Sequence, residues 1–360
     1  MASRITRFSS ISLLGSCLLA TQSVHADQIQ VLTSIKPLQL ITQQMLGELA
    51  NVEVLLPPGS SPHHYSLKPS AIRKMHEADL VIWGGEDLEL FLRKPVSQLK
   101  TPALAVIAET AHEEHEEHEE HEEHEEHEEH EEHEEHEEHE EHEEHEEHEE
   151  HEEHEEHAEH AEHAEHAEHA EHSEHSEHSE HHEHNHDSDP HFWMAPETAL
   201  AAAEKIRDRL VVAYPEHGEA LKQAYSRFAS ELEQSDKQIQ QSLVGVKQHG
   251  FFVFHDAFSS FVEHYGLKQL GYFTVDPGRK PGAKRLSEIR NALEQQQAVC
   301  VFIEPQFKAP VVESITRGLD IGIGKLDPLA SESVVDGQGY TRYMQSLADS
   351  FTQCLAAAEK

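Results

Sequence analysis

One segment limits what this chain can fold into more than any other feature. From His112 the sequence repeats the triplet His-Glu-Glu, changes to Ala-Glu-His and Ser-Glu-His triplets, and ends just before "HFWMAP". Between His112 and His191 there are 28 His, 39 Glu and 2 Asp, and no Lys or Arg. Such triplets carry too little apolar surface for a packed core, and rows of Glu repel one another in a helix. We therefore expect the insert, residues 112–189, to be disordered at neutral pH without metal.

The insert also explains the unusual net charge of the chain. The whole chain carries −44 at pH 7 with His neutral, and −41 of this lies between His112 and His191, which leaves −3 for the rest. The body of the protein therefore has an ordinary charge balance, and we expect no nucleic-acid partner. It is long enough to form two domains of moderate size, each with its own hydrophobic core.

The first 26 residues have the pattern of a secretory signal peptide. Arg4 and Arg7 precede a short apolar stretch, and Ala26 ends an acceptable cleavage sequence, so we predict that residues 1–26 are removed on export. A lipoprotein acylation site at Cys17 is the alternative, although it would leave a very short apolar region. No later segment has a long uncharged apolar run, and we expect the mature protein to be soluble.

Cleavage after Ala26 leaves two cysteines, Cys300 and Cys354. An even number of cysteines in an exported protein suggests one disulfide bond. Two buried thiols are the alternative, and we favour the disulfide.

Short apolar runs alternate with helical patterns along the rest of the chain. Four such runs precede the insert and four follow residue 249, each with the length and composition of a buried strand. Alternation of this kind predicts parallel sheets covered by helices. We predict an α/β fold with two lobes, each with a four-stranded, mainly parallel sheet, joined by a long rigid helix. The predicted bounds are 27–214 for the N-terminal lobe, 215–248 for the linking helix and 249–360 for the C-terminal lobe.

Four residues outside the repeat lie near the ends of predicted strands. They are His63 in the loop "LLPPGSSPHHYSLKPS", His191 ahead of a helix, His255 at the end of "FFVFH", and Asp327 in "KLDPL". Open α/β sheets bind ligands at the carboxyl ends of their strands. If the two lobes face each other, these four side chains can converge in the cleft between them. His64 is interpreted as a bystander on the loop surface.

Seven segments, in chain order, carry a resemblance to a known family: "LLPPGSSPHHYSLKPS", "ADLVIWGG", "HFWMAPE", "FVFHDAF", "GYFTVDP", "CVFIEPQF" and "LDPL". Together they resemble the periplasmic zinc-binding proteins of ABC uptake systems, the ZnuA family. The resemblance spans nearly the whole mature chain. It implies two α/β lobes, a long linking helix and zinc bound in the cleft. It also implies a periplasmic receptor that delivers Zn²⁺ to a membrane permease and its ATPase.

The resemblance assigns roles to individual residues. The three histidine ligands of the family fall on His63, His191 and His255, and the carboxylate that closes the site in related metal receptors falls on Asp327. The histidine-rich acidic loop of the family falls on the repeat, and its disulfide falls on the two cysteines of the mature chain. These assignments predict a metal site in the cleft and a bond between the second lobe and the C-terminal helix.

One position departs from the family pattern and leaves the fourth zinc ligand open. Some members have a Glu directly before the first histidine ligand, where this chain has Pro62. Asp327, a water molecule and a loop histidine are the alternatives. Three imidazole nitrogens suit tetrahedral Zn²⁺. Manganese receptors of the same superfamily use a carboxylate in place of His255, so a manganese receptor is the less favoured interpretation.

The repeat is interpreted as a metal-gathering antenna or buffer. Imidazole has an unperturbed pKa of about 6.5, so many of these histidines are neutral near pH 7 and free to bind metal. Each partial site must order a loose chain, so we expect weaker binding than in the cleft. The tether beside His191 keeps captured metal at a high effective concentration near the cleft. A solubilising spacer is the alternative, but it would not need a histidine at every third position.

Two other functions are alternatives to a zinc receptor. A zinc hydrolase would suit three protein ligands and one open position, but the sequence has no HExxH motif and no nucleophile with a placed base. We therefore expect no enzyme activity. An extracellular zinc buffer without a transporter partner is the second alternative. We also expect the mature protein to be a monomer.

Overall fold

The structure, a computed structural model, describes residues 28–107, 189–308 and 310–357. The predicted signal peptide and nearly all of the His/Glu insert lie outside the described residues. Among the helices within those ranges, none combines the length and the apolar character that crossing a bilayer requires.

The part of the chain before the insert forms a four-stranded parallel sheet with helices on its faces. Its elements are β1 (Ile29–Thr33), α1 (Lys36–Leu46), β2 (Ala50–Val54), α2 (Pro69–Glu77), β3 (Leu80–Trp83), α3 (Leu90–Ser97) and β4 (Ala103–Ala105). The strand order is β2-β1-β3-β4, and every pair is parallel. β3 is buried along its whole length, as expected for a strand covered on both faces.

The part of the chain after the insert forms a second sheet with the same topology. Its elements are α4 (Pro196–Ala213), α5 (Gly218–Leu243), β5 (Gly250–His255), α6 (Ser259–Tyr265), β6 (Lys268–Thr274), α7 (Ala283–Glu294), β7 (Cys300–Ile303), α8 (Pro310–Thr316), β8 (Gly322–Lys325) and α9 (Gly339–Ala356). The strand order is β6-β5-β7-β8, again parallel throughout. The predicted fold class, two four-stranded parallel sheets covered by helices, is confirmed.

Helix α5 is the predicted long helix between the two sheets. Its 26 residues are preceded by a 3₁₀ turn at Pro215–His217 and followed by another at Val244–Val246, so the regular helix is shorter than predicted. Its buried apolar residues recur at intervals of seven and four, which places them on one face of a helix; they are Leu221, Phe228, Leu232, Ile239 and Leu243. Through its contacts with α1, α4 and α9, the helix links elements of both halves of the chain.

Helix α3 begins only at Leu90, because the residue before it, Glu89, has its side chain turned into the protein interior. The Glu89 side chain is fully buried, and its Oε2 accepts a hydrogen bond from the Gly84 N–H at 2.7 Å. The carboxylate therefore closes the turn after β3. Burial raises the pKa of Glu89 to about 7, and hydrogen bonds from Ser34, Gly84 and Gly85 act in the opposite direction.

The two cysteines of the mature chain form the predicted disulfide bond. Cys300 begins β7 and Cys354 lies near the end of α9, and their Cα atoms are 6.2 Å apart. A Cβ at Gly322 on β8 would lie 2.9 Å from one of these sulfur atoms and 3.0 Å from the other. Glycine at this position therefore makes room for the bond that holds α9 against the second sheet.

Candidate metal-binding site

The three predicted histidines come from three different segments and meet in one place. His63 lies in the loop after β2, and His191 lies just after the insert, at the start of the short 3₁₀ turn Phe192–Met194. His255 is the last residue of β5. One ring nitrogen from each histidine lies within 4.8 Å of the other two. Segments from both halves of the chain therefore contribute to a single cluster of His63, His191 and His255.

The geometry of the three rings suits one shared cation. Their centroids are 5.1 to 5.5 Å apart, and the planes cross at 65° to 88°. The Nε2 atoms of His63, His191 and His255 are all buried and make no hydrogen bond with described residues. Tetrahedral zinc with nitrogen ligands at 2.0–2.1 Å would hold those nitrogens about 3.4 Å apart. Only a small inward movement of the rings is needed to reach that spacing.

Two carboxylates orient the more deeply buried rings. His191 Nδ1 lies 2.8 Å from Asp189 Oδ1, and His255 Nδ1 lies 3.4 Å from Glu304 Oε2. A proton on each Nδ1 would be donated to the carboxylate, which leaves the Nε2 lone pair directed at the shared point. His191 and His255 are each only 3% exposed. The two carboxylates therefore lie where they would favour the tautomer and orientation that metal binding requires.

Asp189 does more than orient one ring. Its Oδ1 also accepts the His191 backbone N–H at 3.0 Å, and its Oδ2 accepts a hydrogen bond from Ser260 Oγ at 2.6 Å. Ser260 belongs to α6 of the second half. Burial raises the pKa of Asp189, but the hydrogen bonds from His191 and Ser260 outweigh it and hold the pKa well below its usual value. The carboxylate therefore stays ionised and joins the two sides of the site.

The surroundings keep the His63 imidazole neutral. Burial lowers its pKa most, and the neighbouring His191 and His255 lower it further, while Asp276 acts weakly in the opposite direction. The resulting pKa is about 3, against an ordinary value of 6.5. A neutral imidazole offers its lone pair to a cation without first losing a proton. His63 is therefore ready to bind metal at neutral pH.

The cavity around the three rings is small and mostly apolar. Trp193 packs edge-on against His191, with ring centroids 5.4 Å apart, and its Nε1 donates to the Pro328 carbonyl at 2.7 Å. The lining residues are Ser61, Pro62, His63, His191, His255, Pro277, Glu304, Phe307, Pro328 and Leu329. The cavity has a volume of about 10 Å³, which is close to the size of one water molecule.

Asp327, the predicted fourth ligand, is not brought into the histidine cluster. Its carboxylate accepts hydrogen bonds from the backbone N–H groups of Leu329 at 3.0 Å and Ser331 at 2.6 Å, and from the Gln306 amide. These bonds close the turn after β8. Asp327 as a zinc ligand stays a prediction, and the carboxylate would have to give up part of this network to act as one.

Reasoning from the sequence did not identify the carboxylates behind the rings. Asp189 stands two residues before His191 in "DSDPHFW", and Glu304 ends the strand segment "CVFIEP". Glu304 satisfies the same strand-end rule that identified His255, because β7 pairs directly with β5. That rule could have found Glu304, whereas Asp189 belongs to no strand and is recognised only from its contacts.

Comparison with known proteins agrees with this site. A family model described as zinc-uptake complex component A, periplasmic, matches residues 31–354. The high-affinity zinc uptake system protein ZnuA of Haemophilus influenzae is 43% identical over 347 residues, which cover 96% of this chain and 98% of that protein. The protein of the same name from Yersinia pestis is 34% identical over 344 residues, 96% of each chain.

A crystal structure of ZnuA shares the fold. It is 19% identical and superposes with a TM-score of 0.63, covering 91% of this chain and 100% of that one. At this identity the superposition supports the architecture alone. The family match over most of the length, together with the 43% identity to the Haemophilus influenzae protein, shows that this chain belongs to the ZnuA family.

Proposed function

We propose that the protein is a periplasmic zinc receptor that binds Zn²⁺ between its two halves and delivers it to an ABC importer. One observation carries the proposal: three imidazoles from three segments offer ring nitrogens within 4.8 Å of one another, and their buried Nε2 atoms have no partner among the described residues. The names of its relatives, high-affinity zinc uptake system proteins, support the choice of zinc and of transport. A ligand set divided between two halves also allows release, because separating them removes ligands.

The donor set favours zinc over manganese. Neutral imidazole is a borderline donor that suits Zn²⁺, whereas Mn²⁺ prefers carboxylate and water oxygens. In the proposed site all three primary donors are nitrogens, and the carboxylates of Asp189 and Glu304 lie beside the Nδ1 atoms of two of the rings. A manganese receptor would be expected to have an oxygen donor in place of at least one of these rings.

We propose His63, His191 and His255 as the primary ligands. Asp327 remains a candidate for the fourth, but the hydrogen bonds it already accepts make a water molecule or a histidine of the insert the stronger alternatives. A water ligand alone would not make the site catalytic, since hydrolysis also needs a substrate beside the metal. The small cavity supports binding of an ion rather than turnover of a substrate.

The partners proposed for the receptor are a membrane permease and its ATPase. The family description places its members in the periplasm as part of an uptake complex. We propose that the mature chain begins after Ala26 and acts as a monomer that docks on the permease. A zinc buffer with no transporter would need the same site but no partner.

Zinc uptake in cells distinguishes the receptor from the buffer. A strain that lacks the gene should accumulate little zinc in zinc-poor medium, and the wild-type gene should restore accumulation. The His191→Ala gene should fail to restore it, and the His76→Ala gene, which removes an exposed helix histidine, should succeed. If the null strain takes up zinc at the wild-type rate, the receptor proposal is wrong and the buffer is favoured.

We propose that the His/Glu insert gathers zinc for the cleft site. Deleting residues 113–187 should leave one tight site and remove a larger, weaker zinc capacity. Because histidine must be deprotonated to bind metal, that capacity should fall steeply below about pH 6. Calorimetric titration of full-length and deleted proteins at two pH values checks this. Loss of the tight site on deletion would mean that the insert supplies primary ligands.

A further inference from the structure

His64, the residue after the proposed ligand His63, crosses to the other half of the molecule. Its Nε2 lies 2.9 Å from Oδ1 of Asp276, a residue 212 positions later in the chain. The His64 side chain is 60% exposed, so this contact lies at the outer rim of the site rather than inside it. His64 therefore does not join the buried cluster, and it is not the isolated surface residue that the sequence suggested.

The partner of His64 is anchored close to a ligand strand. The Asp276 backbone carbonyl accepts a hydrogen bond from Thr274 Oγ1 at 2.7 Å, and Asp276 Oδ1 also accepts the Gly278 N–H at 2.8 Å. Thr274 is the last residue of β6 and lies in register with His255 on β5. Asp276 is thus held in a fixed turn, two residues beyond the strand partner of a proposed ligand.

The same turn closes one side of the histidine cavity. Pro277 lines the cavity together with His63 and His255. The His64 ring packs against the next residue so closely that a Cβ at Gly278 would lie 3.0 Å from its Cδ2 and Nε2 atoms. The side chain that fastens this turn therefore comes from the loop that carries His63.

We propose that the His64–Asp276 contact is a latch across the cleft, which holds the Asp276–Pro277 turn over the bound metal and slows its release. The proposal rests on the proposed function and extends it to the rate of zinc exit. His64 and Asp276 are positioning residues on this account: they do not touch the metal, but they hold together the two loops between which it would leave. The contact should contribute what one hydrogen bond contributes, a factor of about five to ten in the release rate.

Zinc release from the full-length mature protein tests the latch. Protein loaded with one equivalent of Zn²⁺ is mixed with excess chromogenic chelator, and the slow phase is followed by stopped flow. His64→Leu and Asp276→Ala, which each remove one partner of the contact, should release zinc about five to ten times faster than wild type while still binding one tight equivalent. His64→Gln, whose amide can donate to the same oxygen, should release zinc at close to the wild-type rate. His76→Leu is the matched control.

The double variant shows whether the two residues act through each other. His64→Leu with Asp276→Ala should be no faster than Asp276→Ala alone, because the contact with His64 is already lost in that variant. Additive effects, or unchanged rates in both single variants, would overturn the latch. Faster release in His64→Leu with a wild-type rate in Asp276→Ala would also overturn it, because His64 would then act without Asp276. If wild type retains no tight equivalent at all, the proposed function itself fails, which is a separate outcome.

Discussion

The three proposed ligands are held in two different ways. His191 and His255 are almost completely buried, and each has its Nδ1 beside a carboxylate. His63 lies nine residues beyond β2 on a Pro- and Gly-rich loop, and its ring has no carboxylate partner of this kind among the described residues. This difference indicates that the three ligands have different roles in the site. The pair forms a rigid half-site, and the loop brings the third ligand.

Removing one ligand of the rigid pair should have the largest effect. His255→Ala deletes a buried nitrogen ligand. Loss of a residue that only hydrogen-bonds to a ligand costs about 10–100-fold in metal affinity, so loss of the ligand itself should cost more than about 100-fold. His63→Ala should cost less, because a water molecule can more easily replace a ligand on an open loop. Chelator competition on zinc-loaded protein measures both. A larger loss of zinc affinity in His63→Ala than in His255→Ala would contradict these proposed roles.

The carboxylates behind the pair should have the next largest effect. Asp189→Asn should weaken zinc binding by about tenfold or more, and Glu304→Gln by a smaller factor. The reason is distance: Asp189 lies 2.8 Å from its histidine and Glu304 lies 3.4 Å from its own. The same competition assay checks the order. If both variants bind zinc with the same affinity as wild type, the two carboxylates do not strengthen zinc binding by the histidines.

The zinc-free protein should show the depressed pKa of His63 as a pH dependence of stability. In the folded state the pKa is about 3, whereas the unfolded chain has the ordinary value near 6.5. Between these values the unfolded state binds more protons, so the free energy of unfolding falls as pH falls through that window. At pH 5 the loss from this residue is at most about 2 kcal/mol, and exposure of the loop reduces it.

His63→Gln isolates this effect, because glutamine does not titrate. Urea unfolding at pH 7.5 and pH 5.0 should show a smaller decrease in stability for the variant than for wild type. A titratable group far from His63 changes the stability of both proteins equally, so its contribution cancels in the comparison. The same decrease in both proteins would mean that His63 titrates normally in the folded state.

Asp327 should have the smallest effect on zinc. Its carboxylate already accepts two backbone N–H groups, so Asp327→Ala should mainly destabilise the turn, by about 1–2 kcal/mol, with less than about a threefold change in zinc affinity. Thermal unfolding and chelator competition separate the two effects. A loss of affinity comparable to that of His255→Ala would instead make Asp327 a primary ligand.

The sequence contained most of the information about the fold and part of that about the site. Apolar runs with helical stretches between them predicted both sheets, because parallel strands buried on both faces leave a continuous hydrophobic pattern. His255 was predictable because it ends such a strand. The beginning of α3 at Leu90 was not predictable, because the burial of Glu89 depends on its contact with Gly84.

The contacts that complete the site depend on residues far apart in the chain. Asp189 binds Ser260, and His64 binds Asp276, across separations of 71 and 212 residues. No local pattern marks either pair, since each is brought together only by the tertiary fold. His64 was interpreted as a bystander for this reason. Its neighbour His63 was found from the loop sequence and the family resemblance, not from periodicity.

The central claim is that His63, His191 and His255 together hold one zinc ion, and anomalous X-ray scattering tests it most directly. Crystals of the mature protein with one equivalent of Zn²⁺, measured on both sides of the zinc absorption edge, should give one strong peak in the cleft. This peak should lie about 2.0–2.1 Å from the Nε2 atom of each of the three rings. A peak bound by only one of the three, or a main peak elsewhere in the molecule, would contradict it.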